Sequence, residues 1–456
     1  MRENEISREN KMGTMPVGRL LFTMGTPMMI SMLFQALYNI VDSVFVAMLS
    51  QDAMNAVSLA FPLQMLCVAV GGGTGVGVNA LLSRSLGEKN QQAADRAANN
   101  FFLLAVCSAL LFLLVGVLFG ETFFRMQTEN PQIIAYGKSY IMICLGCSIG
   151  IFMQFCTERL LQSTGRTDLA MIPQVTGAVT NMILDPIMIF GLLGFPRMEV
   201  AGAALATVCG QLLAACIGIF LNVKKNHDIH LSFSAMIRPH GATIREIYRV
   251  GVPSIIMQSI GSVMTFGINR ILIGFTEAAT AVFGAYFKLQ SFIFMPCFGL
   301  NNAMVPIVAY NYGAAKPDRL KRAVKLTMLS AITIMSLGML AFETIPHVLL
   351  GLFSPTEEML SIGTTALRII GIHFPIAGFC IIAGSVFQAL GKPIYSLINA
   401  ICRQIIVLLP AAYLLSLTGK LALVWFALPI AELMSLLMSV IFLRRILRHI
   451  NERFGE

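Results

Sequence analysis

Charge is scarce in this sequence. Asp, Glu, Lys and Arg supply 12% of 456 residues, against about 25% in soluble domains. That scarcity excludes an ordinary water-soluble globule. A Walker motif is also missing. The run Gly71-Gly72-Gly73-Thr74-Gly75-Val76-Gly77 has no Lys-Ser/Thr after it and no strand before it. It lies inside an apolar segment, where close helix–helix approach or a flexible segment explains it better than a phosphate loop. The chain alone is therefore not expected to be driven by ATP. No signal peptide is evident, because Glu3, Glu5, Arg8, Glu9, Lys11 and Arg19 precede no short apolar region with a cleavage site.

Credible cysteine pairs are lacking too. The ten cysteines fall almost wholly in apolar segments, and Cys144 and Cys147 sit in the run Ile-Cys-Leu-Gly-Cys-Ser-Ile. A redox or metal site needs stabilised thiolates and access, so these read as small core- or lipid-facing side chains. The formal charge of +9 does not indicate a nucleic-acid partner, because the basic residues are spread through short loops.

What is present is apolar sequence. Hydrophobic residues make up 56% of the chain and the mean hydropathy is +0.77. Many runs exceed the roughly 20 residues that cross a bilayer. Twelve helices are expected, near 17–43, 53–81, 98–120, 133–160, 168–191, 199–222, 246–273, 279–307, 324–346, 359–387, 394–416 and 421–442.

The second half repeats the first, 226 residues on. Gly25 and Pro27 return as Gly251 and Pro253, Leu63-Gln64 as Leu289-Gln290, Gly87 as Gly313, and Gln162 and Gly165 as Gln388 and Gly391. Repeated membrane bundles are a standard frame of secondary transporters. The expected fold is all-α and integral to the membrane, with twelve transmembrane helices in two parallel six-helix repeats. Residues 1–222 would form an N-lobe and 246–443 a C-lobe. A polar linker at 223–245 and a basic tail at 444–456 would be cytoplasmic. Lys and Arg concentrate on one side of alternate loops, which puts both termini in the cytoplasm. Gly87 and Gly313 are expected to end the second helix of each half.

Carboxylates within apolar spans are costly and point to function. Asp42 ends the run Phe34-Gln35-Ala36-Leu37-Tyr38-Asn39-Ile40-Val41-Asp42, with an interfacial cap as its alternative reading. Asn181 and Asp185 are four apart on one helical face, beside Pro186. Proline cannot donate a backbone N–H, so the Met182 carbonyl loses its usual helical donor. Carboxylate, amide and carbonyl together suit Na⁺ or a proton relay; a kink-stabilising polar cluster is the other reading. The repeat places Ile268, Val407 and Ala411 opposite Asp42, Asn181 and Asp185. Coupling chemistry is therefore expected in the first half.

Met32, Gln35, Asn39, Gln258, Asn269 and Arg368 are candidates for a substrate cavity. Methionine and phenylalanine repack around unlike shapes. Glu432 in the last span reads either as the partner of a basic residue in a structural ion pair or as a substrate-binding carboxylate. Arg270, Arg403 and Lys288 read as snorkelling cations, and Glu158 as a helix-end anchor.

The sequence resembles the multidrug and toxic compound extrusion (MATE) family, closest to its bacterial DinF-like/MepA-like branch. The resemblance covers about residues 15–445. It rests on Pro27 with Asp42-Ser43-Val44-Phe45, Ala60-Phe61-Pro62, Ser83-Arg84-Ser85-Leu86-Gly87 and Leu161-Gln162-Ser163-Thr164-Gly165. Asn181 through Pro186 and Val305-Pro306-Ile307-Val308-Ala309-Tyr310-Asn311-Tyr312-Gly313 complete it. It implies a non-enzymatic export antiporter in the bacterial cytoplasmic membrane. The implied partners are amphipathic, cationic drugs or dyes, membrane lipid, and H⁺ or Na⁺ as coupling ion, with no other cofactor and a monomeric state. It also implies an ion site at Asp42, Asn181 and Asp185, completed by the Thr207 hydroxyl, and bending near Pro27 and Pro186. A flippase for lipid-linked saccharides is the alternative.

Overall fold

The computed structural model describes residues 9–353 and 355–455. All regular structure among them is helical. The principal helices are α1 (Val17–Leu49), α2 (Gln51–Gly87), α3 (Gln91–Arg125), α4 (Pro131–Gly146), α5 (Ile149–Ser163), α6 (Thr167–Phe190) and α7 (Glu199–Lys225). Then follow α8 (Gly241–Leu272), α9 (Glu277–Gly313), α10 (Pro317–Thr344), α11 (Glu357–Gly371), α12 (Phe374–Ala389), α13 (Pro393–Ser416) and α14 (Ala427–Phe454).

Among the described residues, nine helices are long and apolar enough to cross a membrane, or eleven if two bent pairs each count as one span. The pairs are α4 with α5, bent by 43°, and α11 with α12, bent by 49°. Each was expected as one helix. The breaks fall at Cys147-Ser148 and Ile372-His373, after Gly146 and Gly371. Glycine and serine loosen a helix, and Pro375 at the start of α12 cannot continue the earlier hydrogen-bond ladder. The expected fifth span is α6, a helix of 24 residues that contains Pro173 and Pro186.

Helix ends follow local chemistry. Ser50 and Thr276 cap α2 and α9, their hydroxyls accepting from the backbone N–H of Ala53 and Ala279. Gly87 and Gly313 end those helices as expected. The left-handed residues lie two positions later, at Lys89 (φ 56°) and Ala315 (φ 53°).

The chain forms two compact units, and their borders differ from the expected lobes. One contains Ile30–Ile255 and the other Lys11–Met29 with Ile256–Glu456. Both borders fall inside helices, α1 and α8, at equivalent positions of the repeat. Each lies shortly after the Gly-x-Pro pair, Gly25 and Pro27 or Gly251 and Pro253. The segment 223–245 is thus part of the first unit. It is held there because Asn99 donates to the His230 carbonyl and accepts from the Ser232 N–H, both at 2.9 Å. Asn100 accepts from the His240 N–H at 2.9 Å.

Within the first unit the glycine run lies on α2. A Cβ added at Gly77 would stand 2.1 Å from the Ile247 carbonyl oxygen of α8. Only glycine permits that approach. In the second unit an apolar core gathers Phe283, Tyr286, Phe342, Phe374 and Trp425.

Candidate functional site

The polar residues of the first unit converge. α6 and α7 pack through small residues: a Cβ at Gly210 would lie 2.6 Å from the Gly177 carbonyl oxygen. This closeness brings Asn181, one turn past Gly177, against Thr207 on α7. Asp185 is fully buried, Asn181 2% exposed and Thr207 8% exposed. The Asn181 amide nitrogen and the Thr207 hydroxyl are 3.1 Å apart. Turning the amide resolves every polar atom better: Oδ1 accepts from the Thr207 N–H and hydroxyl, and Nδ2 donates to Asp185 Oδ2, each at 3.1 Å.

Asp42, from α1, completes the group. Its carboxyl and that of Asp185 lie within hydrogen-bonding reach of one another. Asp42 Oδ1 is buried without a hydrogen-bond donor. Two adjacent carboxylates repel when both are ionised, and low-polarity surroundings amplify the repulsion. A proton or monovalent cation between them removes it. The open Asp42 oxygen, the Asp185 carboxylate and the neighbouring amide and hydroxyl oxygens suit a hard cation or a proton.

Three further side chains join this cluster that sequence reasoning missed. Tyr38 stands one turn before Asp42 and lies near both aspartates. Tyr140 interacts with Asp42 and Tyr38. Gln64 donates to the Tyr140 hydroxyl at 2.8 Å. The i, i+4 spacing of Tyr38 and Asp42 was a readable signal; the placement of Gln64 and Tyr140 depends on tertiary packing.

The substrate-cavity candidates do not gather in the same way. Met32, Gln35 and Asn39 share α1 with Asp42 in the first unit, but Asn39 is exposed and its carbonyl accepts from Ser43 at 2.8 Å. Gln258, Asn269 and Arg368 belong to the second unit. Arg368 is exposed in the last turn of α11. Pro27 and Pro186 both lie inside helices, α1 and α6.

The second unit contains an ion pair whose carboxylate is buried. Arg403 Nη1 lies 3.0 Å from Glu432 Oε2, and Glu432 is 2% exposed. Glu432 is thereby paired, and Arg403 is not a snorkelling cation. Arg403 sits in a π-helical stretch, Cys402–Leu408, whose wider turn carries it towards α14. Lys288 lies 5.9 Å from the Phe353 ring centroid. Glu158 also departs from expectation. It is 5% exposed and accepts from Gln154 at 2.9 Å, so it is an internal polar residue and not a helix-end anchor.

A multi-span helical fold with neighbouring carboxylates inside an apolar unit is the frame of a membrane transport protein. The MatE family model matches residues 27–187 and 253–414, and the chain belongs to that family, in its MepA-like/DinF-like branch. It is a multi-pass protein of the bacterial cytoplasmic membrane. A FAD transporter of Shewanella oneidensis is 27% identical over 424 residues, covering 92% of each chain. The multidrug export protein MepA of Staphylococcus aureus is 26% identical over 434 residues, covering 94% of each. An outward-facing multidrug resistance MATE family transporter of the MOP superfamily matches with TM-score 0.91 at 23% identity, over 98% of this chain and 99% of that one. A MOP superfamily transporter from Pyrococcus furiosus matches with TM-score 0.87 at 24% identity, over the same shares. These structures speak to the fold.

Proposed function

We propose that this chain is a cation-coupled efflux antiporter that exports amphipathic, cationic organic compounds by alternating access. The observation that carries the reading is the cluster of half-buried Asp42 with buried Asn181, Asp185 and Thr207 in the first unit. Its kinship to a multidrug export protein supports the substrate class. The proposed architecture is twelve spans in two parallel six-helix lobes, with α6 as the fifth span, both termini in the cytoplasm, and a monomeric state.

The aspartates begin the cycle ionised and receive H⁺ or Na⁺ from outside. Neutralisation removes their repulsion and lowers the cost of apolar surroundings. α1 then bends near Pro27, where a backbone hydrogen bond is already missing. The cavity changes shape and releases its substrate outward. Return to the inward-facing state delivers the ion to the cytoplasm. Coupling requires that ion and substrate bias one two-state equilibrium differently.

The test is reconstitution in liposomes, with ethidium movement followed under separately imposed Na⁺ and H⁺ gradients. The gradient that drives the dye names the ion, and Asp185→Asn should abolish the response while the protein stays folded. Dye movement indifferent to both gradients would refute the proposal. A second reading is export of a flavin dinucleotide, favoured by the relative that transports FAD. Gradient-driven FAD efflux without dye efflux would establish it. Translocation of a lipid-linked sugar with neither would point to a flippase.

A further inference from the structure

A cavity of about 330 Å³ opens in the second unit between the last turns of α14 and the start of α13. Lys392, Arg445, Arg448 and His449 line it, together with Tyr395, Tyr312 and the lone carboxylate of Glu452. Its floor is apolar, from the buried side chains of Leu390, Ile446 and Ile450. Its lining residues all belong to the second unit, whereas Asp42 and Asp185 belong to the first.

The electrostatics are one-sided. Three permanent cations share the wall with one carboxylate. Among the described residues, Lys392, Arg445 and Arg448 form no ion pair. Arg453, by contrast, is committed: it donates to the Tyr312 hydroxyl and stacks 4.7 Å from that ring. It holds Tyr312 in place at the cavity edge. Lys392 is the cap of α13, whose first residue is Pro393. The N-terminus of that helix, with its partial positive charge, therefore borders the cavity. Four sources of positive potential converge on a cavity with an apolar floor.

We infer that this cavity binds a phosphate-bearing anion through Lys392, Arg445 and Arg448. Arginine offers paired donors that match phosphate oxygens, and lysine adds a point charge. The tyrosine rings and apolar floor suit a group that carries hydrocarbon or an aromatic ring beside its phosphate. On the side that the Lys/Arg distribution assigns to the cytoplasm, two sources offer that chemistry: the headgroup of an anionic phospholipid, or a free phosphate compound.

The experiment uses the full chain purified in a neutral detergent, with bound species counted by native mass spectrometry. Phosphatidylglycerol and phosphatidylcholine are the lipid probes, and inorganic phosphate and pyrophosphate the soluble ones. The wild type should retain phosphatidylglycerol over phosphatidylcholine. Arg445→Gln/Arg448→Gln should weaken that retention roughly tenfold or more. Arg444→Gln, at an exposed neighbour outside the cavity, should leave it unchanged. Displacement of the lipid by pyrophosphate, with the same dependence on Arg445 and Arg448, would keep the site and name the soluble source. Lys392→Gln serves as the second variant if the double one does not fold. Retention by the variants equal to the wild type, or no preference for any phosphate anion over phosphatidylcholine, would overturn the inference.

Discussion

Gly177 and Gly210 face each other carbonyl to Cα across α6 and α7. A Cβ on Gly210 would meet the Gly177 carbonyl oxygen at 2.6 Å, and a Cβ on Gly177 would meet that of Gly210 at 3.0 Å. The contact sets the spacing at which Asn181 reaches Thr207. It also determines what an extra methyl group would do.

Gly210→Ala should therefore be destabilising despite alanine's better helix propensity. The propensity gain is about 1 kcal/mol. Overpacking of a tight contact costs about 1–3 kcal/mol and here must push backbone against backbone. Thermal melting in detergent should fall, and coupled transport should fall with it because Asn181 loses Thr207. A raised melting temperature with normal transport would contradict the packing argument.

Thr207→Val tests whether the hydroxyl serves the ion or only the fold. Valine keeps the shape but removes the group 3.1 Å from Asn181. A hydrogen bond near charge is worth about 1.5–3 kcal/mol, so the half-saturating concentration of the coupling ion should rise by about tenfold or more. Thr207→Ser should restore the wild-type value. Equal ion dependence in all three proteins would remove Thr207 from the site.

The Arg403–Glu432 pair predicts an asymmetric mutational response. Arg403→Leu alone strands a carboxylate that is 2% exposed, at a cost of about 3–5 kcal/mol. Arg403→Leu/Glu432→Leu removes both charges and should recover most of that loss. A thermal-stability series in detergent reads this directly. Additive losses in the double variant would mean that the pair is solvated.

Topology can be tested at Lys224, an exposed residue at the end of α7. Lys224→Cys, with the exposed Cys107 and Cys216 replaced by serine, should escape a membrane-impermeant maleimide in intact cells. It should react once the membrane is opened. Labelling from outside would reverse the assigned orientation.

Much of this arrangement was legible in the chain. Apolar runs gave the helices, because backbone groups in lipid must bond within their own segment. The cost of buried charge singled out Asp42 and Asp185, and spacing joined Asn181 to Asp185. Gln64 and Tyr140 were not legible as site members, since 76 residues separate them and only packing brings them together. The partner of Glu432 could not be chosen among several cations, because a π-helical turn redirects Arg403. The bends after Gly146 and Gly371 were hidden within continuous apolar runs, where hydropathy is blind to direction.

The exchange of helix segments between the two units has a consequence for biosynthesis. Residues 11–29 leave the ribosome early, yet their compact unit is otherwise built from Ile256 onward. Asn311 and Arg319 both donate to the Met12 carbonyl, across 299 and 307 residues of chain. Residues 11–29 must therefore wait in the bilayer for partners translated long after them. Closure over such a distance is slow and exposes unfinished surfaces to misassembly. A gene divided at residue 240 would give two polypeptides, each lacking a piece of its own fold, so neither should accumulate unless both are made together.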